Sequence, residues 1–128
     1  MALILDKSIT GITSVDVSGN TLTTGYTNLN YTDQYGNTHE NPYLVVDNVI
    51  IDKNNIFCKI EVKIYKDELM RGTTIIPILQ DSYYQAETND TQYDDYFGLT
   101  IMENVNIFKA AYDFLSGVYF KNWKTDEV

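Results

Sequence analysis

The sequence predicts a mainly β protein, with antiparallel sheets arranged as a sandwich or a barrel and with one C-terminal α-helix. Three observations lead to this fold class. Residues 56–65 alternate strictly, with an apolar side chain at every second position, which is the period of a half-buried strand. Turn-forming residues separate several runs rich in β-branched side chains. From about residue 104 the apolar residues recur at steps of three and four, as one face of a helix requires.

The first half of the chain predicts two hairpins joined by an irregular connection. In residues 10–24, β-branched residues flank the turn sequence Ser18-Gly19-Asn20, which indicates a hairpin. Residues 25–42 are polar and rich in Asn, Thr, Tyr and Gly, so we expect a surface connection with a loop at residues 33–37 and a short strand around residues 27–31.

The second hairpin is the strongest prediction. Residues 43–51 are apolar and β-branched, residues 52–55 supply turn chemistry, and residues 56–65 form the alternating strand. Cys58 falls on the apolar face of that strand, where we expect a small buried hydrophobe and not a reactive thiol. Asp47 interrupts the apolar run, and we expect it to face solvent or an adjoining subunit, because a buried carboxylate would need partners.

Weaker patterns follow this hairpin. Residues 66–72 predict a short helical or irregular link. Residues 73–79 predict a strand that lies at a sheet edge or is bulged, because Pro77 cannot donate to a ladder. Residues 81–96 carry five acidic residues and no basic one, which predicts a long acidic loop or a hairpin excursion. Phe97, Leu99 and Ile101 alternate as a short returning strand would.

The last part of the chain predicts one helix over residues of about 104–120. Asn104 or Asn106 is the expected N-cap, and Gly117 is a candidate for an early end of the helix. The charged tail from residue 121 onward, with Trp123 between two lysines, is expected to fray or to dock on a neighbour.

Size and charge limit the classes of protein to consider. The 128 residues predict a single domain that spans residues 1–128. A formal net charge of -9 repels phosphate and anionic lipid, so neither nucleic acid nor a membrane is an expected partner. Cys58 is the only cysteine, which excludes an intramolecular disulfide. The start of the chain has a short apolar run and no basic region before it, so we do not expect secretion through a signal peptide.

No short motif in the chain indicates catalysis, and we predict neither an enzyme nor a bound cofactor. His39 is the only histidine, and a single histidine in a polar loop is usually a solvated residue. Paired carboxylates remain an open catalytic option. The candidates for a metal site are the oxygen-bearing residues Glu87, Asp90, Asp94 and Asp95. Their spacing is not that of an EF-hand, so the prediction is a solvated acidic loop and no metal.

Several segments resemble a known class of protein. They are Asn41-Pro42-Tyr43 before the apolar strand, Asp52-Lys53 at the turn, Lys63-Ile64-Tyr65, Arg71-Gly72-Thr73, and residues 106–115. In layout, residues 41–115 resemble a small structural protein encoded among the virion genes of tailed bacteriophages. The resemblance implies a repeated part of the neck, tail or head surface, located in the virion after synthesis in the host cytoplasm. It also implies that the chain associates with itself and with other virion proteins.

The expected contact residues come from the termini and from the eleven tyrosines, since tyrosine is enriched at protein interfaces. They are Leu3, Leu5, Tyr83, Tyr84 and Trp123. Two other functions stay open. A small carbohydrate- or peptide-binding β-sandwich would use exposed tyrosines such as Tyr31, Tyr35, Tyr83 and Tyr84, and an enzyme would need two carboxylates that converge in a cleft.

Overall fold

The computed structural model describes residues 1–25, 28–52, 57–67, 79–86 and 92–126. Within these residues the chain forms two β-sheets and several short helices. The strands are β1 (Ala2–Leu5), β2 (Ser14–Val15), β3 (Thr21–Leu22), β4 (Asn30–Thr32), β5 (Thr38–His39), β6 (Tyr43–Asp52), β7 (Phe57–Tyr65), β8 (Leu79–Ala86) and β9 (Trp123–Asp126). The helices are α1 (Gln92–Phe97), α2 (Leu99–Met102) and α3 (Ile107–Phe114), and a π-helical turn follows at Leu115–Tyr119. The mainly β prediction is confirmed.

The larger sheet has five strands in the order β8-β7-β6-β1-β9, and its strand pairs are antiparallel. Its centre is the predicted second hairpin, β6 with β7. The alternating pattern of β7 gives the expected faces, because Cys58, Ile60, Val62 and Ile64 are all buried. The turn was predicted over residues 52–55, of which residues 53–55 lie outside the described residues.

A β-bulge between Val46 and Asn48 shifts the register of β6 against β7. Asp47 occupies this bulge and is exposed, as the sequence predicts for it, and its carboxylate lies 3.2 Å from the Lys63 ammonium. Because a bulge leaves one residue unpaired and bends its strand, Asp47 reaches solvent without breaking the apolar face.

Of the two alternatives predicted for residues 81–96, a long acidic loop or a hairpin excursion, the loop is wrong. The strand β8 runs through its first part and pairs with β7, with Tyr84 opposite Ile60 and Ser82 opposite Val62. The helix α1 takes its last part. The sequence of this segment has only a weak strand pattern. It forms a strand because its backbone pairs with the edge of β7 that β6 leaves open. Most of the predicted link over residues 66–72 and of the predicted strand over residues 73–79, including Pro77, lies outside the described residues.

The prediction of one C-terminal helix is too simple, since three short helices precede the last strand. Phe97, Leu99 and Ile101, which suggested a strand, belong to α1 and α2. The N-cap is Asn106, one of the two predicted caps, and its side chain accepts a hydrogen bond from the Phe108 N–H at 2.8 Å. The apolar stripe of α3 packs on the larger sheet through its buried residues Ala110, Ala111, Tyr112 and Phe114.

One buried hydroxyl connects this helix to two strands. The Tyr112 hydroxyl accepts a hydrogen bond from the Val46 N–H at 3.0 Å and donates one to the Met1 carbonyl at 3.0 Å. The β1 strand pairs with β6 at Tyr43 and Leu44, so Tyr112 provides a partner for the β6 backbone just beyond that pairing.

The smaller sheet has the order β3-β2-β4-β5. The predicted hairpin over residues 10–24 is confirmed by the antiparallel pair of β2 and β3, while β2 and β4 run parallel. Gly19 in its turn has a φ of +80°, and an added Cβ would lie 2.5 Å from the Tyr119 carbonyl oxygen. The turn therefore packs against the π-helical turn so closely that only glycine fits.

Both sheets contribute to one cluster of buried side chains. The smaller sheet contributes Val15 and Tyr31, and Leu29 just before β4 joins them. These side chains pack with the apolar face of the larger sheet and with the helices. The contact between the sheets is aromatic, since the Trp123 ring meets the Tyr31 ring edge-on at 5.6 Å between centroids. Among the described residues, no helix is long and apolar enough to cross a membrane.

Candidate functional site

The C-terminal strand β9 forms an open edge of the larger sheet. The sequence predicted a fraying or docking tail here, but Trp123–Asp126 pairs with β1 along its whole length, from Leu5 opposite Trp123 to Ala2 opposite Asp126. In the described residues no strand pairs with its other side. An unpaired strand edge is a template on which another strand can pair.

Trp123 anchors this strand to the core. Its side chain is buried, and its ring contacts Phe120 at 5.5 Å as well as Tyr31 at 5.6 Å, in both cases edge to face. Asn122, just before the strand, is also buried, and its amide contacts the Gly19 carbonyl and the Thr21 hydroxyl. The first residues of β9 are therefore held from two sides, which keeps its open edge in a defined position.

The ladder between β1 and β9 determines the direction in which each β9 residue points its backbone N–H and C=O groups. The Asp6 N–H donates to the Asn122 carbonyl at 2.9 Å, so this pair is the hydrogen-bonded kind. Because hydrogen-bonded and non-hydrogen-bonded pairs alternate along an antiparallel ladder, Lys124 and Asp126 bond to β1 through their backbone. The N–H and C=O groups of Thr125 consequently point away from β1, toward the open edge.

The side chains of β9 alternate in the same way. Lys124 and Thr125 are exposed and Asp126 is half-buried. Lys124 and Asp126 lie on the same face of the strand, because side chains two residues apart share a face. The edge thus carries one positive and one negative charge on either side of Thr125.

A groove of about 420 Å³ adjoins this face of the sheet. Lys124 and Asp126 line it together with the apolar residues Ile4, Pro42 and Tyr43. Lys7 is another lining residue, and its ammonium donates to the carbonyls of Leu29 and Glu40. Burial lowers the pKa of Lys7, and the Glu40 carboxylate opposes that effect.

Lys7 also lines a second pocket of about 480 Å³, which is polar. Asn28, Asn30, Glu40 and Asn41 line it. The Oδ1 atom of Asn30 is buried and finds no hydrogen-bond donor among the residues that the structure describes.

His39 is not the solvated loop residue that the sequence predicted. It belongs to β5, its side chain is 12% exposed, and its Nε2 lies 2.9 Å from Oδ2 of the buried Asp33. The other Asp33 oxygen accepts the N–H groups of Tyr35 and Asn37. Burial works against the charged form of Asp33, but the hydrogen bonds from His39, Asn37 and Tyr35 outweigh it and lower the pKa. The arrangement fixes the β4–β5 turn.

The predicted interface residues divide into two groups. The first group is buried in the core of the chain and consists of Leu3, Leu5 and Trp123, of which Trp123 is the most exposed at 4%. Little of their surface is therefore left for contact with another protein. Tyr83 and Tyr84 lie on β8, the opposite edge strand of the larger sheet, where their backbones pair with Glu61 and Ile60.

The other predicted site residues are scattered. Of the metal candidates, Asp94 and Asp95 lie on α1 and Glu87 and Asp90 lie outside the described residues. In the described part of the chain, no group of three or more His, Cys, Asp or Glu residues is placed to hold a metal ion. Of the tyrosines proposed to stack on a sugar, Tyr31 is buried and Tyr35 is 77% exposed.

Sequence reasoning missed the edge at β9. The only signal was the alternation of Trp123 and Thr125 with Lys124 and Asp126, which is too short to distinguish from a charged tail. Comparison with protein-family profiles, with curated proteins and with solved structures finds no match to this chain.

Proposed function

We propose that the protein is a structural component of the virion of a tailed bacteriophage, which acts by associating with itself and with neighbouring virion proteins. The observation that carries this proposal is the open β9 edge, where the Thr125 backbone groups point away from β1 on a strand that Trp123 fixes in place. A rigid strand edge supports assembly, because its hydrogen-bonding groups are already in position for a partner strand.

The sequence resemblance over residues 41–115 supports the virion location. We further infer that the two sheets face each other as a β-sandwich, which is supported by the edge-to-face contact between Trp123 and Tyr31. In such a sandwich the β9 edge projects from one side of the protomer, where strand addition does not disturb the core.

The location is tested with phage particles purified by density gradient from a lysate in which this chain is expressed. An antibody against the protein should detect it in the particle band, at a constant ratio to the major head protein across the band. A host cytoplasmic protein of similar mass serves as the control and should remain in the soluble fraction. Recovery of this chain in the soluble fraction alone would contradict the virion proposal.

A second function, a small carbohydrate-binding module, is favoured by the polar pocket beside Lys7. The asparagine residues that line it suit the hydroxyl groups of a sugar, and the exposed ring of Tyr35 suits stacking. Calorimetric titration with oligosaccharides tests it. Binding that Asn30→Ala abolishes would favour the module, whereas no heat with any sugar would remove it.

A further inference from the structure

We infer that the partner of the β9 edge is β9 of a second copy of this chain, paired antiparallel about a two-fold axis at Thr125. This inference rests on the proposed function, since it names the partner that the assembly edge takes. The two larger sheets would then join into one continuous sheet through β9.

The backbone allows this pairing at Thr125. Because the Lys124 and Asp126 backbone groups bond to β1, the Thr125 N–H and C=O groups are the ones that face the edge. Two Thr125 residues placed opposite each other at a two-fold axis therefore exchange two N–H···O bonds. A pairing centred on Thr125 thus satisfies both of its groups in each copy.

The charges select this register over its neighbours. With the axis at Thr125, Lys124 of each copy lies opposite Asp126 of the other, and opposite charges in directly facing positions attract. An axis at Lys124 would set two lysines opposite each other, and an axis at Asp126 would set two aspartates opposite each other. Both alternatives place like charges at the centre of the pairing, which is destabilising.

The same lysine prevents indiscriminate pairing. A charged lysine on an edge strand disfavours addition of an apolar or basic strand. Against a second copy in the Thr125 register, however, Lys124 meets a carboxylate. The edge is therefore selective for a strand with the same Lys-Thr-Asp order running in the opposite direction.

Sedimentation velocity of the full chain over a range of concentrations, at low ionic strength, tests the inference. The wild type should form a dimer. Lys124→Glu and Asp126→Lys each turn two attractions into two repulsions, and each should weaken the dimer by at least about tenfold. The double variant, Lys124→Glu with Asp126→Lys, restores opposite charges and should recover most of the wild-type affinity.

Two further variants separate pairing from folding. Thr125→Pro removes the N–H that points to the open edge, a change that edge strands tolerate, and it should abolish the dimer while the circular dichroism spectrum is unchanged. Lys121→Glu makes the same charge change at an exposed residue outside β9 and should leave the dimer as it is.

A wild-type monomer at every concentration would overturn the inference. So would a dimer that keeps its affinity in Lys124→Glu, or a double variant that stays as weak as the single ones. A self-associating wild type that is insensitive to all β9 variants would overturn the β9 partner and leave the virion proposal standing. A β9-dependent dimer that is absent from phage particles would contradict the virion proposal and leave this inference intact.

Discussion

Replacing Tyr112 by phenylalanine is expected to destabilise the protein without changing its fold. The hydroxyl accepts from the Val46 N–H and donates to the Met1 carbonyl, each at 3.0 Å. Phenylalanine keeps the buried ring, so the variant loses these two hydrogen bonds and little packing. Each such bond contributes a net of about 0.5–1.5 kcal/mol, which gives an expected loss of about 1–3 kcal/mol in the free energy of unfolding.

Urea unfolding followed by the fluorescence of Trp123, the only tryptophan, measures this loss. A decrease of about 2 kcal/mol lowers the urea midpoint by roughly 1 M at a typical slope of about 2 kcal/mol per M. Tyr35→Phe is the matched control, because Tyr35 is 77% exposed and should change stability by less than about 0.5 kcal/mol.

A Tyr112→Phe curve that coincides with the wild type would refute the reasoning. It would mean that packing of the aromatic ring alone holds α3 to β6 and that the two hydrogen bonds contribute nothing net. A changed slope with an unchanged midpoint would also count against it, because the prediction is a change in stability and not in the surface exposed on unfolding.

Other perturbations give equally specific outcomes. Gly19→Ala should lower the melting temperature more than Gly36→Ala does, because both have φ near +80° but only at Gly19 would the new Cβ meet the backbone of Tyr119 and Phe120; equal shifts in calorimetry would contradict the tight turn. Burial raises the pKa of the Cys58 thiol to about 12, so a maleimide should react at pH 7 only in urea, and rapid labelling of the native protein would show that the thiol is accessible. Asp33 has a lowered pKa in the fold, so its stabilising contribution is complete above its unfolded pKa of about 3.9 and is lost as the pH falls through the folded value. Asp33→Asn should therefore destabilise at pH 7 and make acid unfolding below about pH 4 less steep, and parallel acid-unfolding curves would contradict this role.

The central hairpin could be predicted because its pattern agrees with its environment. The strand β7 has one face in the core and one outside, so its alternation is complete over residues 57–65. The exposure of Asp47 could also be predicted, since a carboxylate in an apolar run must find solvent or a partner. The bulge gives it access to solvent. The burial of Cys58 and the helix cap at Asn106 could be predicted as well, because the pattern that indicates each one lies within a few residues of it.

The predictions that failed concern segments whose structure is decided at long range. The strand β8 has no alternating pattern of its own and forms because β7 offers an open edge. Likewise, β9 pairs with β1 from the other end of the chain, a contact that no local window contains. His39 looked solvated because Asp33, six residues earlier, was read as part of a loop, while the β4–β5 turn brings the two side chains to 2.9 Å.

The pairing of β1 with β9 has a consequence for how the protein is made. Residue 2 is hydrogen-bonded in register with residue 126, so this part of the sheet closes a loop of almost the entire described chain, and closing so long a loop is slow. The edge therefore appears only after residue 126 has left the ribosome. A chain that has not been synthesised as far as residue 126 lacks the edge through which we propose that two copies associate. Association through the proposed edge therefore has to follow the synthesis of β9.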